Sequence, residues 1–280
     1  MVSKYYQYDM DKARYVVRIL HNYFKSERSI RKATIELPNN IKWGSKEHFL
    51  YIFYGCLLDY GVKSSYYHKR LKSTYLIYPS LFNPEFIVKK FTQDISKLAE
   101  VLRSYLGVRF PTEAAKRWLA LSYVLYSTYN CDPRNLIKAS QDLNNLKKRI
   151  LEIRGFGQKT GGFLIRILYE NNLLDHIYGG QDIQFIPIDR HDVRISIRLG
   201  VIKFSGKYPS KQTINSNSQL EKLSQLWVEA SMHEGVDPAE TDRNLWLLGS
   251  ELCALRKCTF CPVRNICSQI SNEDYNSETD

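Results

Sequence analysis

Apolar residues recur at helical spacing along Tyr15–Phe24, His48–Leu58, Pro84–Leu106, Ala114–Tyr126, Leu143–Ile153, Gly162–Tyr169 and Leu220–Met232, and each stretch predicts a helix. Short polar or Pro/Gly breaks separate them, among them Pro38-Asn39-Asn40, Pro79-Ser80 and Asp132-Pro133. Val193, Ile195, Ile197 and Leu199 alternate as a strand would, yet Asp189 suits a helix N-cap and Gly200 a helix stop, so a helix is expected there too. Strand signals are otherwise few, and no repeat occurs at solenoid periods. Lys203–Gln219, rich in Ser and Asn, reads as a long polar loop, and the acidic segment after Cys267 as a disordered tail. The expected class is all-α.

The 280 residues are enough for one large core or two smaller ones, and 44% of them are hydrophobic. The formal charge is +11, and without the last ten residues, which hold four acids and no base, it is +15. Such a surplus fits either a polyanionic partner or simple solubility. The longest apolar stretch, Phe49 to Leu58, is too short to span a bilayer, and the first residues do not resemble a secretory signal. The chain is therefore expected to be intracellular (cytoplasmic or nucleoid, nuclear if eukaryotic) and without a membrane partner; a monomer is expected, though no residue pattern speaks to oligomeric state. Six cysteines in such a chain argue against a disulfide framework. Cys56 and Cys131 stand alone and read as core thiols.

The segment 143–168 reads as two helices joined by Arg154-Gly155-Phe156-Gly157-Gln158-Lys159-Thr160. Two glycines around one apolar residue permit a tight turn, and amides at the start of the second helix suit a phosphate oxygen. Phe156 would pin the turn onto both helices. An ordinary αα-hairpin with a glycine turn has the same pattern. The remaining cysteines, Cys253-x4-Cys258-x2-Cys261-x5-Cys267, lie within fifteen residues and can wrap one metal centre. Zinc sites usually pair two C-x2-C knuckles, and only one is present here. A metal that merely staples the fold is the plain alternative.

The hairpin resembles the L-P-G-V-G-x-K-T turn of helix-hairpin-helix DNA repair proteins, with Ile153-Arg154 in place of Leu-Pro. Ile188-Asp189-Arg190-His191-Asp192-Val193-Arg194, then Arg198-Leu199-Gly200, is similar to the V-D-T-H-x-x-R and R-L-G motifs of endonuclease III-like (HhH-GPD) DNA glycosylase/AP lyases. Leu245-Trp246-Leu247-Leu248-Gly249 ahead of the cysteines resembles the helix that precedes that family's [4Fe–4S] loop, whose first Cys gap is two residues longer. The resemblance implies a nucleophile at Lys159 and a catalytic carboxylate at Asp189. It implies DNA contacts from Gly155, Phe156, Gly157, Gln158, Thr160 and Arg194, and a [4Fe–4S] cluster on Cys253, Cys258, Cys261 and Cys267, with zinc as the alternative. Arg256, Lys257 and Arg264 would give that loop a basic rim. The family's wedge loop falls near Leu58–Tyr67, with Tyr60 as the plug and Lys63 on the DNA. Phe49–Leu58 contains no acid, which disfavours the adenine-mismatch branch.

Elementary chemistry is compatible with those roles. A lysine in the first turn of a helix sits at its positive end, which disfavours the ammonium form. A neutral amine is what attack on a sugar carbon requires. An aspartate at an N-cap stays ionised and can face a cationic sugar.

The implied architecture is two-lobed. Residues 46–172 form a helical barrel with the hairpin, 173–270 the Asp189 and cluster lobe with 1–45 packed on it, and 271–280 the tail. The implied function is a bifunctional glycosylase and AP lyase acting on double-stranded DNA with a damaged base, an oxidised pyrimidine first and 8-oxoguanine second. A monofunctional glycosylase and a non-catalytic DNA-binding protein with a structural metal are the alternatives.

Overall fold

A computed structural model describes residues 6–26, 35–59, 62, 64–174, 185–204 and 217–268. The class is all-α. In chain order the helices are α1 (Met10–Ser26), α2 (Lys46–Leu57), α3 (Ser64–Ile77), α4 (Pro84–Phe91), α5 (Ile95–Leu106) and α6 (Pro111–Thr128). They continue as α7 (Pro133–Lys138), α8 (Leu143–Glu152), α9 (Gln158–Glu170), α10 (Arg190–Arg198), α11 (Asn217–His233) and α12 (Pro238–Leu247). The chain divides into two compact units, Lys32–Gln181 and, from its two ends, Met1–Arg31 with Asp182–Asp280. The N-terminal 45 residues are thus shared between the units.

In the unit Lys32–Gln181, α2 explains the longest apolar run. Every residue from His48 to Leu57 is buried, so the helix is apolar on all sides because it is central. Its polar atoms are bonded: the Tyr54 hydroxyl lies 2.6 Å from Ser122 Oγ, and Tyr51 donates to the Glu36 carbonyl at 3.1 Å. Trp118 of α6 stacks on Tyr54 at 4.3 Å between ring centroids and donates to the Leu81 carbonyl at 2.9 Å. The stretch Pro84–Leu106 is two helices, not the expected one, because Asp94 accepts from the Lys97 amide and starts α5 afresh. Helix α3 was not expected. Only Tyr67, Leu71, Thr74 and Tyr75 of it are buried, and the lysines and tyrosines between them hide the stripe.

In the unit formed by the chain ends, α1 buries Ala13, Val16, Val17 and Leu20 and packs on α11 and α12. Arg14 and Arg18 on α1 pair with Glu234 at 2.9 and 2.7 Å. Tyr6–Tyr8 and Ile202–Phe204 form a short antiparallel pair, so Lys203 and Phe204 belong to a strand and not to the expected loop. The far end of that expected loop is also regular, since Asn217 opens α11; the acidic tail lies outside the described residues. No helix among the described residues is long and apolar enough to cross a membrane.

Candidate active site

The hairpin is formed by α8 and α9. Asp142 starts α8 by accepting from the Asn145 amide at 2.7 Å, and Ile153 and Phe156 are buried under the turn. Phe156 meets Phe53 of α2 edge-on at 6.4 Å, which fastens the turn to the central helix. Gly155 has φ +106°, and a Cβ there would stand 2.8 Å from both Leu57 Cδ1 and Arg117 Cγ. Only glycine meets both demands.

Gly157 caps α9, and its N–H is already committed to Thr160 Oγ1 at 3.0 Å. The Thr160 hydroxyl donates in turn to the Gly155 carbonyl at 3.2 Å. These two residues therefore build the turn, and the amides that head α9 are those of Gln158, Lys159 and Thr160. The Lys159 side chain is exposed on that first turn, while Phe156 is buried and acts by packing. Arg154, in the place of the motif proline, pairs with Glu113 at 3.1 Å.

A carboxylate that the sequence does not single out lies close by in the same unit. Asp59 follows the buried end of α2 and accepts from Ser64 Oγ at 2.7 Å, with His68 Nε2 at 3.4 Å. Burial pushes its carboxyl up, but His68, then Ser64 and the Lys159 charge, hold it below the usual range. An acid closing an apolar run was the available signal. Tyr60 and Lys63 lie outside the described residues.

Asp189 belongs to the other unit, where it caps α10. Its Oδ1 accepts from the amides of His191 at 2.6 Å and Asp192 at 3.3 Å, and Asp192 Oδ2 accepts the Asp189 amide at 2.7 Å. This reciprocal cap is why the alternating residues Val193 to Leu199 fold as a helix. Arg194 Nη2 donates to the Gly249 carbonyl at 3.0 Å and lies 2.9 Å from His191 Nδ1. Its contacts therefore tie α10 to the π-helical turn Leu248–Cys253. Gly249 allows that approach, since a Cβ there would be 2.7 Å from His191 Cβ.

The π-turn delivers Cys253. Cys253, Cys258, Cys261 and Cys267 are free thiols on one loop, and Arg198 Nη1 donates to Cys253 Sγ at 3.0 Å. Burial pushes the Cys261 thiol up, and the other three cysteines stand near enough to add to the effect. No three metal-binding side chains among the described residues close around a common point. The thiols are gathered, then, without forming a coordination shell. Four soft donors on one loop, with a guanidinium bonded to one sulfur, fit a thiolate-bound iron cluster or zinc.

No protein-family model and no curated protein matches the chain. Solved structures do. A trapped covalent intermediate of endonuclease III with DNA, in an estranged-adenine complex, is similar at 16% identity and TM-score 0.60, covering 93% of this chain and 96% of that one. The 8-oxoguanine DNA glycosylase of Methanocaldococcus jannaschii is similar at 16% identity and TM-score 0.57, covering 85% and 94%. A thermostable thymine-DNA glycosylase matches at 16% identity and TM-score 0.55, covering 92% and 96%. The chain has the all-α helix-hairpin-helix fold of these DNA glycosylases.

Proposed function

We propose that the protein is a bifunctional DNA glycosylase and AP lyase of base-excision repair, acting on double-stranded DNA that carries a damaged, oxidised base. The observation that carries the reading is Lys159, exposed on the first turn of α9 directly after the Gly155–Gly157 turn, in a chain with this fold. The amides heading α9 bind a backbone phosphate. Phe156 holds the turn, and the basic surplus of the chain supports DNA as the partner. The damaged nucleotide leaves the stack, with Tyr60 and Lys63 filling or lining the gap.

The Lys159 amine attacks C1′ as the base departs, and Asp189 faces the positive charge that develops on the sugar. The Schiff base that results undergoes β-elimination and nicks the strand. The fold likeness to a DNA-trapped endonuclease III supports a covalent route. Cys253, Cys258, Cys261 and Cys267 hold a [4Fe–4S] cluster, which fixes the loop carrying Arg256, Lys257 and Arg264; zinc is the other metal the donors fit. The protein acts as a monomer inside the cell.

Borohydride trapping tests the reading on duplexes containing thymine glycol, 8-oxoguanine or an abasic site. Wild type forms a covalent adduct that Lys159→Ala does not. Asp189→Asn slows base release by about 100- to 1,000-fold, the usual worth of a group aimed at transition-state charge. Base release without any adduct would mean a monofunctional enzyme, and intact binding without either would mean a non-catalytic DNA-binding protein.

A further inference from the structure

Asp192 is 2% exposed and Asp189 8%, and each accepts the other's backbone amide, at 2.7 and 3.3 Å, which sets the two carboxyls side by side. Two carboxylates in such contact do not both ionise, so one of them keeps a proton. The surroundings decide which. Asp189 accepts two backbone N–H bonds at the positive end of α10, both of which favour its ionised form. Asp192 accepts one, through Oδ2, and its buried Oδ1 receives a hydrogen bond from no donor among the described residues.

No basic side chain among the described residues compensates Asp192. From α12 the group facing it is another acid, Asp242, itself 3% exposed. From α11, Trp227 donates to Ser196 Oγ at 3.2 Å, and Ser196 donates to the Asp192 carbonyl at 2.6 Å, so this side brings no charge to it. His191 and Arg194 on α10 are engaged with each other and with Gly249. An ionised, unpaired carboxylate in that setting is very costly.

We propose that Asp192 is a positioning residue for the chemistry assigned to Asp189: a neutral carboxylic acid that donates its O–H to the Asp189 carboxylate and so fixes its orientation and keeps it ionised. The assignment rests on the reading of Asp189 under the proposed function. It goes beyond the capping box, which needs only the acceptor Oδ2. Burial foremost, then Asp189 and Asp242, pushes the Asp192 carboxyl well above the usual range. Loss of its proton places a second negative charge against Asp189.

The test compares wild type, Asp192→Asn and Asp192→Ala in single-turnover base release and in borohydride trapping on abasic-site duplex, from about pH 5 to about pH 10. Asparagine reproduces both the acceptor and the donor of a neutral acid. It should keep the neutral-pH rate within about threefold and remove the alkaline fall that wild type shows as Asp192 ionises. Alanine should lose about 10- to 100-fold, the worth of a hydrogen bond to a charged group.

Carboxyl ¹³C NMR of the aspartate-labelled protein reads the proton directly and does not depend on activity. The resonance missing from Asp192→Asn should remain in its protonated form at neutral pH. A resonance that titrates with the ordinary aspartates, or an Asp192→Asn enzyme as slow as Asp192→Ala, overturns the proposal. A wild type inactive on every duplex, with the buried acid still protonated, overturns the catalytic reading of Asp189 and with it the positioning role. Should the alanine variant fail to fold, the asparagine pH profile and the NMR titration still decide.

Discussion

Replacing Gly155 by alanine is the sharpest challenge to the hairpin as described. At φ +106° an L-residue is strained by about 1–3 kcal/mol. The new methyl would also lie 2.8 Å from Leu57 Cδ1, in a fully buried side chain, and 2.8 Å from Cγ of Arg117, which is held by Glu113. Forcing that contact open adds about 1–3 kcal/mol. A total of roughly 3 kcal/mol corresponds, for a unit of this size, to a fall in melting temperature of roughly 6–12 °C. Differential scanning calorimetry measures it directly. Gly157→Ala is the matched control, because its Cβ would meet nothing within 4 Å. It should melt within about 0.5 kcal/mol of wild type, yet weaken binding to abasic-site duplex if the turn faces the phosphate. A Gly155→Ala protein that melts like wild type would refute the argument, since neither the strained backbone nor the Leu57 contact could then exist.

Acid stability should fail in two separable windows. Burial lowers the His48 pKa from 6.5 to about 4, so the neutral ring's contribution is complete above pH 6.5 and is lost as pH falls towards 4; His48→Gln should remove that part of the titration. Arg18, and then Arg14, lower the Glu234 carboxyl from 4.5 to about 2, so its contribution is present above pH 4.5 and disappears as pH falls through 2; Glu234→Gln should abolish it. Urea denaturation at stepped pH reads both. Arg194→Ala should cost about 2 kcal/mol in denaturant unfolding, because its Nη2 alone carries the contacts to the Gly249 carbonyl and to His191 Nδ1. Iron and zinc analysis of the purified protein should find metal that is lost on Cys258→Ser and Cys261→Ser. A metal-free wild type would remove the cluster from the account.

The hairpin was legible because its signals are local: two glycines around Phe156, and apolar faces on either side. The helix after Asp189 was legible through its cap and the Gly200 stop, against a misleading alternation of Val193, Ile195, Ile197 and Leu199. What escaped depends on residues distant in the chain. Nothing in the sequence around Asp192 announces its burial or the nearness of a second acid, Asp242 of α12. Asp59 looks like a loop acid until Ser64 and His68 fold back onto it. The three-residue strands are too short to carry a period, and the break at Asp94 is a single cap inside a long apolar pattern.

The unit assembled from both chain ends carries a cost in time. Arg18 and its partner Glu234 are 216 residues apart, with the whole of Lys32–Gln181 synthesised between them. At ribosomal rates of about 5–20 residues per second, α1 waits roughly 10–40 s for its partner helix. During that interval Val16, Val17 and Leu20 have no core to enter. The hairpin unit can fold first, while α1 remains an amphipathic segment suited to a chaperone.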